Sequence, residues 1–212
     1  MTYTCTMNEV RNLYTAEPQY IWNTVTENNM NTIKILPCGL PVQNEIHTDI
    51  TLLDTFSKGR IWYGFGSEVF IDTPWQSVYN ELFFNAVKEK DFSLSLLTTS
   101  KVIMKYINVL QTIREVEIGV WFSSDEAKND VFTQRLDILR RLYLTDFYTI
   151  VYLNTEGNIA DVINLAELVS GLCHTAYLYG NQIQVVSQVK EIFEEHKKTV
   201  FYVAENNNAL FL

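Results

Sequence analysis

Glu167 is the residue whose type and setting most suggest chemistry. It stands in Ile163-Asn164-Leu165-Ala166-Glu167-Leu168, a run with helical periodicity. The spacing predicts a buried stripe of Ile159, Val162, Ile163, Ala166 and Val169, with Glu167 one position off it, at its edge. A carboxylate facing a cleft there could attack an anomeric carbon, because it is a competent nucleophile toward an oxocarbenium-like centre. The alternative is a solvated glutamate on a helix flank. Asp137 and Asp146 flank the same region. Asp146 precedes a strand-like run and equally fits the end of a helix-to-strand turn. Asp137 has Arg140 and Arg141 at helical spacing, as a surface ion pair would.

Three loops carry the other candidates: Gly64–Ser67, Ser123–Asp125 and Asn154–Asn158. In an open parallel sheet, ligands bind at the carboxyl ends of the strands, where such loops lie. The Gly64-Phe65-Gly66-Ser67 turn could let backbone amides approach a phosphate or sugar. It is neither a G-x-G-x-x-G fingerprint nor a Walker sequence, and a turn needing positive φ explains its glycines equally. Ser67, Ser123 and His174 form no recognisable nucleophile–base set, and there is no G-x-S-x-G elbow. His174 opens a strand-like run at the edge opposite the usual site, as a structural histidine would.

These residues are positioned by a regular alternation of strand-like and helix-like runs from about Arg60 to Ala204. Strands are predicted at Arg60–Phe65, Phe92–Leu97, Val116–Phe122, Tyr148–Leu153, Thr175–Tyr179 and Val200–Val203. Helices are predicted at Pro74–Lys88, Ser100–Ile113, Ser123 or Ser124 to Leu144, Asp161–Leu172 and Gln184–His196. In the first of these, Thr73 is the N-cap, Pro74 the first helical residue, and Trp75, Val78, Tyr79, Leu82, Phe83 and Ala86 the buried face. Parallel strands need crossovers, and helices usually supply them. The expected fold is therefore a three-layer flavodoxin- or Rossmann-like α/β sandwich with a mostly parallel sheet and an N-terminal extension. Residues 1–58 form that extension, with a short strand at Thr32–Leu36, and 59–212 the α/β domain.

Composition narrows the function classes. The 212 residues carry a formal net charge of −9, and an acidic surface repels phosphate backbones. Broad nucleic-acid binding is not expected, although a small nucleotide held by helix N-termini is compatible with this charge. Cys5, Cys38 and Cys173 fit neither a zinc site nor a disulfide framework, and His47, His174 and His196 lie far apart. Met1–Val10 lacks the apolar core of a signal peptide, and no apolar run approaches the roughly 20 residues needed to span a bilayer. A cytoplasmic protein is expected, and the apolar tail Ala209–Leu212 is expected either to dock on a neighbouring subunit or to fray.

Two stretches carry a family resemblance. Thr145-Asp146-Phe147-Tyr148-Thr149-Ile150-Val151-Tyr152-Leu153-Asn154, followed by Ile163-Asn164-Leu165-Ala166-Glu167-Leu168, resembles the nucleoside 2-deoxyribosyltransferase-like family. Arg60-Ile61-Trp62-Tyr63-Gly64 with Trp75-Gln76 is similar to that family's first strand and helix. The resemblance implies a flavodoxin-like fold and N-glycosidic bond chemistry. Glu167 would match the family nucleophile, Asp137 or Asp146 its acidic site residues, and Gly64 and Gly66 would lie near a bound nucleoside. Ser67 and Asn154 join these as candidate substrate contacts. TIR domains are a second comparison, because Leu165-Ala166-Glu167-Leu168 is similar to their glutamate-bearing helix. Neither resemblance implies a metal or organic cofactor. The resulting expectation is a nucleoside- or nucleotide-binding protein with N-glycosidic transfer or hydrolysis. Its rival is a non-catalytic binding or assembly protein on the same fold.

Overall fold

Local chemistry sets the element boundaries. The Thr73 hydroxyl accepts a hydrogen bond from the Gln76 amide at 3.3 Å, so α1 (Pro74–Glu89) opens with Pro at its first position. Asn158 caps α4 (Ile159–Ser170), accepting from the amides of Ala160 and Asp161 at 3.0 and 3.2 Å. The Ser100 hydroxyl accepts from Val102 and opens a 3-10 turn over Lys101–Tyr106, followed by the short α2 (Ile107–Leu110). The single helix expected over Ser100–Ile113 is thus mostly 3-10, and its β-branched residues Val102, Ile103, Ile107 and Val109 favour the departure.

The structure is a computed structural model and describes residues 4–10, 19–26, 49–65, 68–124 and 130–203. The expected strand at Thr32–Leu36, the pair Gly66 and Ser67, the acidic pair Asp125 and Glu126, and the tail Glu205–Leu212 lie outside them. The chain divides into two compact units, Met1–Val116 with Ala209–Leu212, and Glu117–Asn208. The division falls within the expected α/β domain. Two strands from the expected N-terminal extension belong to the first unit's sheet.

In the first unit, β1 (Thr4–Val10), β2 (Gln19–Thr26), β3 (Arg60–Tyr63) and β4 (Ser93–Thr98) lie in chain order. β1 and β2 are antiparallel, and β2, β3 and β4 are parallel. Arg60 of β3 pairs with Gln19 on one side and Ser93 on the other. Tyr63 is at the centre of an aromatic core, with ring centroids 4.5 Å from Phe83 and 6.1 Å from Phe84. Its hydroxyl donates to Asn80 Oδ1 at 2.6 Å, and Asn80 Nδ2 donates to the Val69 carbonyl at 3.0 Å.

That buried phenol explains a correction. α1 buries Gln76, Tyr79, Asn80, Phe83, Phe84 and Val87, whereas Trp75, Val78 and Leu82, expected inside, are more than half exposed. A buried hydroxyl must be hydrogen-bonded. The helix presents Asn80 and Gln76 to Tyr63, and its buried face moves round by one residue, about 100°.

In the second unit, β5 (Val116–Ser123), β6 (Tyr148–Asn154), β7 (Thr175–Tyr179) and β8 (Thr199–Val203) are all parallel and again in chain order. α3 (Asp130–Leu144), α4 and α5 (Ile183–Glu195) make the crossovers. Val151, Leu153, Ala176 and Leu178 are fully buried on one face, small enough to admit close helix backbones. On the other face, Trp121, Tyr152, Tyr177 and Phe201 share one register row, and Trp121 and Tyr152 are buried as well. The chain therefore adopts the expected α/β class, helices layered on a mostly parallel sheet. Strand order does not reverse within either unit, so neither contains the switch point at which such sheets open a ligand crevice.

Asn80→Ala removes the acceptor for Tyr63 and should cost about 2–4 kcal/mol. Leu82→Ala, on the solvent side of the same helix, should change stability by less than about 0.5 kcal/mol. Urea unfolding of both variants measures the contrast, and equal losses would contradict the observed helix orientation.

Candidate functional site

The residues singled out from the sequence fall in both units, and within the second they are spread over the two ends of the strands. Gly64 follows β3 with φ of 86°, and a Cβ there would run into the Leu97 carbonyl of the neighbouring strand's end. Strand packing alone therefore demands glycine. Gly66 and Ser67 lie outside the described residues. Asn154 closes β6, where its side chain accepts from the Glu156 amide at 3.0 Å and shapes the loop. Asp137 is an exposed residue of α3, bonded to Arg141 at 2.9 Å. Asp146 is exposed in the turn from α3 to β6, with a left-handed φ of 62°.

Glu167 is exposed in the last turn of α4. The buried stripe of that helix is Val162, Leu165, Ala166, Val169 and Ser170, while Ile159 is half exposed. At 100° per residue, Glu167 lies roughly 130° round from the stripe's centre. Along the axis it is about 12 Å from the helix start. The end of α4 is tied to the beginning of β6, since Thr149 Oγ1 donates to the Leu172 carbonyl at 3.1 Å. Glu167 and Asp146 therefore lie toward the amino ends of the strands, whereas Asn154 lies at the carboxyl end of β6. Six residue steps of extended strand, roughly 20 Å, separate the two ends of β6.

Among the described residues, two glutamates that the sequence did not single out lie at the carboxyl ends, one in each unit. Glu68 follows β3 and is 8% exposed. Its carboxylate accepts from the Phe70 amide at 2.9 Å, the Thr99 amide at 2.7 Å, the Thr99 hydroxyl at 3.0 Å and the Thr98 hydroxyl at 3.0 and 3.1 Å. It clamps the loop after β3 to the loop after β4. Glu156 does the equivalent in the second unit, accepting from the Asn181 amide and from Gln182 Nε2 at 3.2 Å, in the loop after β7. Around it, Thr155 donates amide and hydroxyl to the Tyr179 carbonyl at 2.7 and 2.8 Å. Ser124 donates to the Glu156 carbonyl at 2.8 Å, and Tyr202 to the Gly180 carbonyl at 2.7 Å. Gly180 has φ of 140°, and a Cβ there would meet Thr155 and Glu156.

The electrostatic consequence follows directly. Strand-end amides are the donors that bind phosphate in sheets of this kind. In both units an internal carboxylate takes such donors, and its negative charge opposes the approach of an anion. Each glutamate follows its strand within a short polar stretch, Gly66-Ser67-Glu68 or Asn154-Thr155-Glu156. That composition is ordinary for a loop, so no sequence signal set them apart.

No family model matches the chain, and no curated protein matches it. Among the described residues, no group of three His, Cys, Asp or Glu side chains could hold a metal ion. Among the same residues, no helix is long and apolar enough to cross a membrane.

Among the described residues, a further polar cluster is at the amino ends of β6 and β7. His174 stacks on Tyr148, ring centroids 4.9 Å apart, and its Nδ1 accepts from the Thr149 amide at 3.0 Å. That bond needs an unprotonated Nδ1. Burial, then the nearby Lys198 charge, hold His174 below its ordinary pKa, and burial pushes the Cys173 thiol up to about 12. Cys173 is thereby an inert thiol, not a nucleophile.

Two outcomes test these assignments. Glu68→Ala orphans the donors of Phe70, Thr98 and Thr99 and should cost about 3 kcal/mol in urea unfolding. For His174 the folded pKa lies below the unfolded one, so protons favour the unfolded chain. Its stabilising contribution is complete above about pH 6.5 and declines as the pH falls. His174→Phe keeps the stacking and should flatten the fall in melting temperature between about pH 7 and about pH 5.5.

Proposed function

We propose that this chain is a non-catalytic binding or assembly protein built on an α/β fold. One observation carries the reading. At the carboxyl ends of the strands Glu68 and Glu156 take up loop donors, one in each unit, while Glu167 is exposed toward the amino ends of its own unit's strands. A nucleophile needs the sugar held against it by convergent groups that also exclude water. Glu167, Asp137 and Asp146 are each exposed instead, and Asp137 is already paired with Arg141. The exposed apolar side chains Trp75, Val78 and Leu82 along one face of α1 also suit a protein that works by contact.

The competing reading is N-glycosidic transfer or hydrolysis with Glu167 as nucleophile. The two are separated by a chromatographic assay of the purified protein against deoxynucleosides, nucleoside monophosphates and NAD, with Glu167→Gln in parallel. No release or exchange of a free base by either protein is expected. Turnover by the wild type that disappears in Glu167→Gln would overturn the binding reading and establish the glycosidic one.

A further inference from the structure

We infer that the aromatic face of the second unit's sheet binds a flat, uncharged ring carrying a carbonyl oxygen, held by Trp121, Tyr152 and Tyr179. The inference rests on the binding reading and names the class of ligand. β5 to β8 are parallel and in chain order, so crossovers of one hand carry α3, α4 and α5 to a single side of the sheet. Phe122 marks that side, with its ring 6.2 Å from Phe132 of α3. Strand side chains alternate, so Trp121, Tyr152, Tyr177, Tyr179 and Phe201 face the other way.

Two donors on this face lack an acceptor. Trp121 is 2% exposed. Its Nε1 and the Tyr179 hydroxyl are buried, and among the described residues neither has a hydrogen-bond partner. Buried polar side chains in native proteins are nearly always hydrogen-bonded. The two rings are 5.3 Å apart, centroid to centroid, yet their polar atoms do not bond to each other. An indole can only donate. Burial pushes the Tyr179 phenol well above its ordinary pKa, so it stays protonated and able to donate. Both groups therefore call for an acceptor that the described residues do not supply.

The surroundings define the rest of the ligand. Tyr152 lies on the strand between them, with its ring 6.1 Å from that of Tyr179. Tyr177 and Phe201 extend the row toward β8 at centroid spacings of 5.1 and 5.0 Å. Aromatic walls of this kind favour a flat ring. Among the described residues of the four strands, none on this face is basic, and Glu117 of β5 stands on it. Its carboxylate opposes an anion. A carbonyl oxygen has two lone pairs and no net charge, so it accepts from both donors without that opposition.

The test follows the indole Nε1–H resonances of the labelled full chain by NMR, with coumarin as the probe. The chain has four tryptophans, and the resonance missing from Trp121→Phe belongs to Trp121. Coumarin should move that resonance downfield, to saturation, as a new hydrogen bond does. Naphthalene, a similar ring without an acceptor, and the anion 2-naphthoate should each bind about tenfold more weakly. Tyr179→Phe should weaken coumarin binding about tenfold. It should leave the melting temperature unchanged or raised, because in the free chain the hydroxyl has no bond to lose. A Trp121 resonance that coumarin does not move overturns the inference, as does equal or tighter binding of naphthalene or 2-naphthoate. Tyr179→Phe that binds coumarin as tightly as wild type overturns it too, and leaves both donors to internal water. A lower melting temperature in that variant would show the hydroxyl already bonded and count equally against it. Nucleoside turnover that Glu167→Gln abolishes, with coumarin binding intact, would sink the proposed function and spare this one. Absence of both turnover and coumarin binding would do the reverse.

Discussion

The interaction on which the strand-end architecture depends is a carboxylate that accepts backbone hydrogen bonds from the loop of the next strand. Parallel strands end in loops whose amides must be satisfied, and each buried orphan costs about 1–3 kcal/mol. Glu68 meets the amides of Phe70 and Thr99 and the hydroxyls of Thr98 and Thr99. Glu156 meets Asn181 and Gln182. Charge-assisted bonds of this type are roughly twice as strong as neutral ones. The position of Gly64 against Leu97, and of Gly180 against Thr155, follows from how closely these loops are drawn together.

The same clamps bear on chemistry. A sheet that gives its strand-end donors to its own glutamates has fewer to offer a phosphate, and it adds negative charge where the ligand would come. The monotonic strand order within each unit acts in the same direction, since a crevice in such folds arises where the order reverses. The conspicuous acidic residues, Asp137, Asp146 and Glu167, are meanwhile exposed, two of them toward the amino ends of the strands.

The two faces of the second unit's sheet carry different rows at the level of its middle strands. Val151, Ala176, Leu153 and Leu178 are small or aliphatic and buried, which permits helices to pack closely. Trp121, Tyr152, Tyr177 and Phe201 form one row of the opposite face, and Tyr152, Tyr177 and Phe201 stack in turn across the strands to the edge. Burial therefore falls off toward β8, and the last ring of the row is left half exposed.

From Arg60 onward, the sequence by itself determined the alternation of strands and helices and their order. Alternating apolar runs, Thr73-Pro74 and Asn158 are local signals, and local signals survive any tertiary arrangement. From Arg60 onward, apart from the shortened helix after β4 and the start of α3, the strand and helix positions agree with expectation to within one or two residues, whereas β1 and β2 were not foreseen. Tertiary structure decided which face each helix buries. α1 follows the demand of the Tyr63 hydroxyl, and α4 presents Leu165 where Ile159 and Ile163 were expected. It also decided the strand order, because periodicity reports that a strand is buried and not which neighbour it has. The exposed setting of Glu167 has the same origin. A helix-edge carboxylate reads alike whether it faces a cleft or water, and only the packed position of α4 turns it outward, toward the amino ends of the strands.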